Sequence, residues 1–462
     1  MTLIATDKPR VIVGLGATGL SCARFFYRRG VPFVIADSRD NPPNLDTLRA
    51  EMPDVQLFLG AFDADLFLNA GELIVSPGVA LEEPAIAHAI ARGVPVCGDI
   101  DIFVRELSVQ EQSLRKISAP IIAITGSNGK STVTTLVGEM AKAAGKKVGV
   151  GGNLGTPALD LLDEATDLYV LELSSFQLER AQPIKPLVAT VLNISADHQD
   201  RHPTLMSYHG AKHRITRGAK QVVINRADPL TRPLVADDVV QWSFGLDAPD
   251  FKGFGVRVEG DEKYLAFESE LLMPVRELKI IGNHNIANAL AALALGHAAG
   301  LPMAAMLNTL REFTGLPHRC QLVADHHGVR FYNDSKGTNV GATIAAIEGL
   351  CSTSDDRVVL IAGGVGKGAE FDALEPVLKV CGRAVVLIGE AADAIAAALG
   401  DSIAQVRAES METAVAAAAI LAKPGDSVLL SPACASFDMF RDYGHRGDVF
   451  AAAVLNLKGG AP

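Results

Sequence analysis

The sequence predicts an α/β protein of three domains: an N-terminal Rossmann-like unit, a central P-loop-type unit with a mostly parallel sheet, and a C-terminal Rossmann-like unit. Three observations carry this. Short β-branched runs alternate with Ala/Leu-rich helical stretches along the whole chain, the order expected of an α/β protein. Two glycine-rich loops each follow such a run and open a helix. Breaks near 105–119 and 315–318 cut the 462 residues into pieces of ordinary domain size.

In order, the predicted strands are Arg10–Val13, Phe33–Ala36, Leu73–Val75, Ile121–Thr125, Leu168–Leu173, Val188–Asn193, Gln221–Asn225, Arg357–Ala362, Ala384–Ile388 and Ser427–Leu430. They are nearly all apolar and do not alternate, as strands covered on both faces do. The stretch 105–119 is polar and charged and reads as a linker, with a fresh strand after Pro120. The expected domains are 1–110, 111–316 and 317–462. Residues 241–280 are richer in aromatics and alternation, which suggests a small antiparallel excursion. The Ala-rich stretches 286–299 and 413–422 are helix formers.

Composition narrows the function. Hydrophobic residues make up 48% and charged residues 21%, a core-forming balance. The 42 basic and 53 acidic residues leave a net charge of −11, which disfavours coating a nucleic acid or an anionic membrane. Mean hydropathy is +0.23, yet stretches such as Ala414 to Ala422 end far short of the roughly 20 apolar residues of a spanning helix. No membrane insertion is expected. The N-terminus shows no export signal, so a cytoplasmic location is expected. Six cysteines are scattered without a Cys-x-x-Cys pair and read as small buried hydrophobes in a reducing compartment.

The first glycine loop carries Gly14, Gly16 and Gly19 in the G-x-G-x-x-G pattern, between a strand and a helix. Asp37 closes the next strand. Such glycines let the backbone approach a pyrophosphate, and the acid accepts from a ribose hydroxyl. The pattern serves NAD or any other nucleotide diphosphate, and it also suits a tight turn that binds nothing.

The second loop, Gly126, Ser127, Asn128, Gly129, Lys130, Ser131 and Thr132, follows the strand Ile121–Thr125. Its Gly-Lys-Ser ending is that of a P-loop: backbone N–H groups cradle phosphates, Lys130 reaches the β/γ oxygens and Ser131 holds Mg²⁺. Its first glycine is not at the usual P-loop spacing. ATP binding is the leading reading.

Glu172 lies near the C-terminal end of the strand Leu168–Leu173, at the sheet edge that faces the phosphate loop, so it is placed to hold Mg²⁺ directly or through water. His198, in the loop after Asn193, could be a second ligand or a hydrogen-bonding residue. In the predicted helix Thr204–Ile215, Leu205, Tyr208, Ala211, Lys212 and Ile215 share one face. An inward Lys212 needs a partner such as Asp200, a depressed pKa or a covalent modification; otherwise it snorkels outward.

These segments occur with others in one order: Gly151 to Gly155, Leu171 to Glu179, Asn193 to Arg201, Gly282 to Asn288, Gly315 to Arg319, Asn333 to Asn339, Gly363 to Gly368 and Leu430 to Ser436. Together they resemble the Mur ligase family across nearly the whole chain. The resemblance implies a UDP-sugar-binding first domain, a P-loop-type ATPase in the middle and an amino-acid-binding third domain. It implies an ATP-dependent amide ligase that adds D-glutamate to UDP-N-acetylmuramoyl-L-alanine through an acyl phosphate, in peptidoglycan synthesis. By the same resemblance, Gly14, Gly16, Gly19, Asp37, Ser38, Arg39, Gly78 and Asn153 would contact the UDP-substrate. Lys130, Ser131, Asn285, Asn288, Arg319 and Asp334 would serve ATP. Ser131, Glu172 and His198 would hold two Mg²⁺, with Lys212 as a CO₂-derived carbamate. Lys336, Thr338, Lys367, Ser436, Phe437 and Tyr443 would form the glutamate pocket. Lys130, His198 and Lys212 are the candidate catalytic residues, with His198 also a candidate acceptor for the amine proton. A monomer is expected. The chain departs from the family pattern at Gln199, Gly337, Val365 and Tyr443.

Overall fold

The computed structural model describes residues 8–114, 118–199, 201–280, 282–351 and 356–457. Three sheets follow one another along the chain. The first has five parallel strands, with Arg10–Val13 at its centre. Phe33–Asp37 and Glu72–Val75 flank it, and Leu57–Leu59 and Val96–Cys97 form the edges. Chain order reverses on either side of Arg10–Val13, so the loops after Val13 and Val75 open a crevice there. This is the switch point where α/β sheets bind ligands.

The second sheet has nine strands. Ile121–Thr125 lies between Val188–Val191 and Leu168–Glu172, and all three are buried along their length and largely apolar, with Thr125, Thr190 and Glu172 the exceptions. The expected excursion at 241–280 is instead the outer part of this same sheet. Val240–Phe244 joins parallel to Gln221–Asn225, and only Gly253–Glu259, Glu262–Phe267 and Glu270–Pro274 pair antiparallel. Burial along Gly253–Glu259 runs in blocks and does not alternate: Gly253 to Gly255 are buried and Arg257 to Glu259 are exposed. The Ala-rich helix Asn283–Ala298 packs beside the helix Lys130–Ala143, and Ala289 to Leu295 are fully buried. Small side chains let the two helix backbones approach closely.

The third sheet has six strands, with the edge hairpin Gln321–His326 and Val329–Asn333 antiparallel and the others parallel. Valine and leucine dominate its centre, and Val358 to Ala362 are all fully buried.

Residues 105–114 of the polar stretch 105–119 are not a linker, and 115–117 lie outside the described residues. Asp99–Leu114 is one helix, and Asp99 and Asp101 in its first turn suit the positive end of the helix dipole. Its own Ile100, Ile102, Phe103 and Leu107 are buried. Its polar face alone made it look like a loop. Of the six cysteines, Cys22, Cys97, Cys381 and Cys434 are buried and Cys320 and Cys351 are partly exposed, all as free thiols. Among the described residues no helix is long and apolar enough to cross a membrane.

Candidate active site

Three clefts open at the C-terminal edges of the sheets. Gly14, Gly16, Asp37, Ser38, Arg39, Gly78 and Asn153 line the first, with a volume of about 520 Å³. Asp37 accepts from the Leu15 N–H at 2.7 Å and from the Arg39 guanidinium at 2.7 and 2.8 Å. Burial works to raise the Asp37 pKa, but Arg39 and two backbone N–H groups hold it below the usual carboxylate value. Gly19 does not reach this cleft. It sits in the helix Ala17–Arg28, where any Cβ would collide with the Gly14 carbonyl, so its role is close helix packing.

The phosphate loop is pinned from the neighbouring strand. Asn193 accepts from the Asn128 N–H at 2.8 Å and donates back to the Asn128 carbonyl at 3.1 Å. Gly129 has φ +80° as it turns into the helix, a conformation natural to glycine. Lys130 donates to the Gly126 and Ser127 carbonyls at 2.8 and 2.7 Å. Its pKa is lowered by burial and by Arg319, against the pull of Glu172 and Asp197. Gly126 is buried and lines neither adjoining cleft. Its carbonyl instead receives both Lys130 and Lys212.

Beside this loop lies the second cleft, which takes Asn128, Gly129, Thr132, Asn285, Asn288, Arg319 and Asp334. Arg319 arrives from the third domain and donates to Ser131 Oγ at 2.7 Å. Burial pushes the Asp334 carboxyl up to about 7, although Ser431 donates to it at 2.7 Å. The departure at Gly337 has a steric reason. A Cβ there would stand 2.5 Å from both Asp334 Oδ2 and Ser431 Oγ.

The central cleft gathers residues from the middle and third domains. Ser127, Lys130, Ser131, Glu172, His198 and Lys212 form one wall, and Lys336, Thr338, Lys367, Ser436, Phe437 and Tyr443 form the other. Asn153 lines both this cleft and the first, and it donates to Glu172 Oε1 at 2.7 Å. The other oxygen, Glu172 Oε2, is buried without a hydrogen-bond partner. A buried carboxylate oxygen in that state suits a cation. Among the described residues no three His, Cys, Asp or Glu side chains form a ready-made metal cluster. Mg²⁺ needs only one or two carboxylates alongside phosphate oxygens, so Glu172 and the Ser131 hydroxyl fit that ion, and His198 lines the same cleft.

Lys212 points inward and does not snorkel. It is 1% exposed on the helix Leu205–His213, with Tyr208 and Ala211 also buried, whereas Leu205 is exposed. Its ammonium donates to the Gly126 carbonyl at 2.8 Å and lies 4.4 Å from the Tyr208 ring centre. Burial, with Lys130 nearby, holds its pKa well below the ordinary lysine value. Asp200, the acid considered as its partner, lies outside the described residues.

On the opposite wall, Lys336 stands 3.6 Å from the Tyr443 ring centre, a cation–π contact that a phenylalanine would also provide. Burial and the nearby Arg319 bring the Lys336 pKa down to about 8. Val365 is tied to Ala435 through paired backbone hydrogen bonds at 2.9 and 3.0 Å, contacts that do not depend on its side chain. The role of Asn339 was not anticipated. It caps the helix Val340–Leu350 and donates to Asn128 at 3.1 Å and Asp197 at 3.4 Å, joining the third domain to the phosphate loop. An Asn before an apolar helical run was the available signal. Arg446 was also missed. It is 1% exposed and donates to Ser335 and to the Cys434 carbonyl, supporting the strand ends that carry Lys336 and Ser436. No periodic pattern marks a buried arginine.

Comparison with known proteins accords with this layout. A MurD-like N-terminal domain of Mur ligases matches residues 8–98, the Mur ligase middle domain 124–296 and the Mur ligase glutamate ligase domain 318–434. The chain is 60% identical to UDP-N-acetylmuramoylalanine--D-glutamate ligase of Pseudomonas savastanoi pv. phaseolicola, over 98% of this chain and 99% of that protein. It is 58% identical to the protein of the same name from Pseudomonas aeruginosa, over 99% and 100%. Its backbone is similar to a pseudomurein peptide ligase type C from Methanothermus fervidus and to the UDP-N-acetylmuramate-alanine ligase MurC from Thermotoga maritima. Each has a TM-score of 0.60 and covers 98% of this chain and 100% of that one, at 18% and 19% identity, a likeness of fold. The chain belongs to the Mur ligase family.

Proposed function

We propose that this protein is an ATP-dependent amide ligase that joins D-glutamate to UDP-N-acetylmuramoyl-L-alanine, releasing ADP and phosphate, in peptidoglycan precursor synthesis. The observation that carries the reading is the convergence of three clefts on one wall of cations. Asn153 connects the first cleft to the central one, and Arg319 and Lys336 connect the central one to the second. The identity to curated relatives of that name supports the choice of substrates.

The first cleft holds the UDP group, with Asp37 and Arg39 at its rim and the Gly14 loop along the pyrophosphate. The second holds ATP through Asn285, Asn288, Arg319 and Asp334, with its phosphates on Gly129 and Lys130. A carboxylate does not condense with an amine in water unless it is activated. The terminal carboxylate of the UDP-substrate therefore attacks the γ-phosphate, and the resulting acyl phosphate is attacked by the glutamate amine. Lys130 and Arg319 stabilise charge as it moves between the phosphates. Mg²⁺, held by Ser131, Glu172 and His198 with a carbamate on Lys212, would supply the remaining charge neutralisation. The depressed pKa of Lys212 supports the carbamate, because only a neutral amine adds to CO₂. Lys336, Lys367, Thr338 and Ser436 receive the glutamate carboxylates.

We further propose that 1–110, 111–316 and 317–462 are the three functional domains. The protein works in the cytoplasm as a monomer, since one chain lines all three clefts. The test is hydroxylamine trapping. With ATP, Mg²⁺ and UDP-N-acetylmuramoyl-L-alanine but no glutamate, a hydroxamate forms. An active enzyme that yields none has no free acyl phosphate, and faster turnover with L-glutamate than with D-glutamate removes the stereochemical assignment.

A further inference from the structure

The seam between the first and second sheets holds a buried arginine that the reaction scheme does not use. Arg180 follows the short helix Ser175–Leu178, and its side chain is 1% exposed. One terminal nitrogen donates to the Val75 carbonyl at 3.0 Å and the Ser76 carbonyl at 2.6 Å. The other donates to the Val79 carbonyl at 3.1 Å and to Glu179 at 2.7 Å. Three of these acceptors belong to a single turn, 75–79. That turn lines the first cleft through Ser76, Gly78 and Val79, and Ser76 Oγ donates to the Gly14 carbonyl at 2.9 Å.

A second arginine holds the same turn. Arg201 donates to the Val79 carbonyl at 3.2 Å and to the same Glu179 oxygen at 2.5 Å. Its guanidinium carbon lies 5.4 Å from the Phe176 ring centre, and the Phe176 ring meets His198 edge-on with centres 4.8 Å apart. One carboxylate thus ties together two arginines, one on each side of the link from substrate turn to catalytic loop. A charge-balancing arginine would need only Glu179. Here the planar fork is spent on main-chain carbonyls of one ligand-lining turn, which fixes that turn in position and orientation. Gly98 leaves room for the arm, since a Cβ there would stand 3.3 Å from Arg180 Cγ and Cδ.

We propose that Arg180, with Arg201 through their shared Glu179, is a positioning residue that holds the turn 75–79 at a fixed offset from the loop bearing His198. The nucleotide-sugar cleft of the first domain is thereby registered on the chemistry of the second. This rests on the reading of the first cleft as the UDP-substrate site. Neither arginine touches the reacting atoms.

The test measures KM for each of the three substrates, kcat and the thermal midpoint in wild type, Arg180→Met and Arg180→Lys. Methionine keeps the stem and removes the fork. The Met variant raises KM for the UDP-substrate about tenfold or more, a loss of order expected from misplacement away from the chemistry. KM for ATP stays within about twofold, and lysine restores part of the loss because one ammonium can still meet some of the carbonyls. A UDP-substrate KM within twofold of wild type overturns the proposal. So does an equal rise in all three KM values, which would mark a structural defect alone. If Arg180→Met does not fold, Arg201→Met carries the same comparison, with a smaller selective rise expected and an unselective effect overturning the idea. A wild-type enzyme inactive on the UDP-substrate removes the functional reading itself, and this inference with it. An active wild type beside an unselective variant removes this inference alone.

Discussion

Replacing Lys212 with methionine separates two effects that usually move together, because it removes an amine whose burial costs stability and whose chemistry is proposed to be needed. The contacts to be lost are few. Gly126 O loses one donor but keeps Lys130 at 2.8 Å, and Thr125 Oγ1 still donates to Leu173 O at 2.7 Å. The Tyr208 ring remains to pack on the thioether, a favourable sulfur–aromatic contact. No carbonyl is left wholly unpaired, so the cost stays at or below about 1 kcal/mol. Removing a buried amine that lacks an acidic hydrogen-bond partner acts in the other direction, because the folded chain then has neither a buried ammonium nor a forced loss of its proton to support. The variant should therefore be as stable as wild type or more stable.

The pH dependence has a definite sign. The folded pKa of Lys212 lies well below its unfolded value, so the unfolded chain binds a proton that the folded chain does not. Wild-type stability falls as pH is lowered from about 10, while the methionine variant lacks this contribution. Its advantage grows towards neutral pH and vanishes above about pH 10.5. Activity should fall about 10²–10³-fold, as when one charge-organising group is removed from a water-excluded site. Urea denaturation at pH 7 and pH 10, with phosphate release at saturating substrates, reads both quantities. Wild type grown with ¹³C-bicarbonate should show a carbamate carbon signal that the variant lacks. Turnover within tenfold of wild type would refute the carbamate, and a variant less stable at pH 7 than at pH 10, relative to wild type, would refute the burial argument.

Two further predictions address the neighbouring groups. Glu172→Gln keeps an oxygen for Asn153 but loses the charge on the unpartnered oxygen, so the Mg²⁺ concentration for half-maximal activity should rise at least about tenfold; an unchanged Mg²⁺ titration would remove Glu172 as a ligand. Burial brings Lys336 down to about 8, so the ammonium proposed to receive a glutamate carboxylate is charged below that pH and neutral above it. KM for D-glutamate should climb between pH 7 and pH 9 while KM for ATP stays level, and a profile that persists in Lys336→Met assigns the titration to another group.

How much of this was readable in advance depends on whether the physics is local. The two glycine loops were legible because their requirements lie within a few residues: a positive φ at Gly129, the collision that any side chain at Gly19 would cause, and a strand delivering the loop to a helix N-terminus. Helical periodicity put Lys212 on the inward face but left an outward snorkel open, and it misplaced Leu205, since Leu205 to Ser207 at the start of that helix are exposed. The stretch 105–119 misled for the converse reason: an amphipathic helix with a charged outer face has the composition of a linker, and only the spacing of Phe103 and Leu107 distinguishes the two. What sequence could not disclose are the acts of residues far apart in the chain. Arg319 meets Ser131 across 188 positions, Asn339 meets Asn128 across 211, and Arg180 holds carbonyls 101 to 105 positions earlier. Each of these contacts joins two domains. Each domain can form its own sheet without them, whereas a site shared among three clefts cannot be assembled without them. The residues that align the domains therefore overlap with those proposed to meet substrate, as Arg319 does by lining two clefts while donating to Ser131, and nothing in composition or period marks the aligning role.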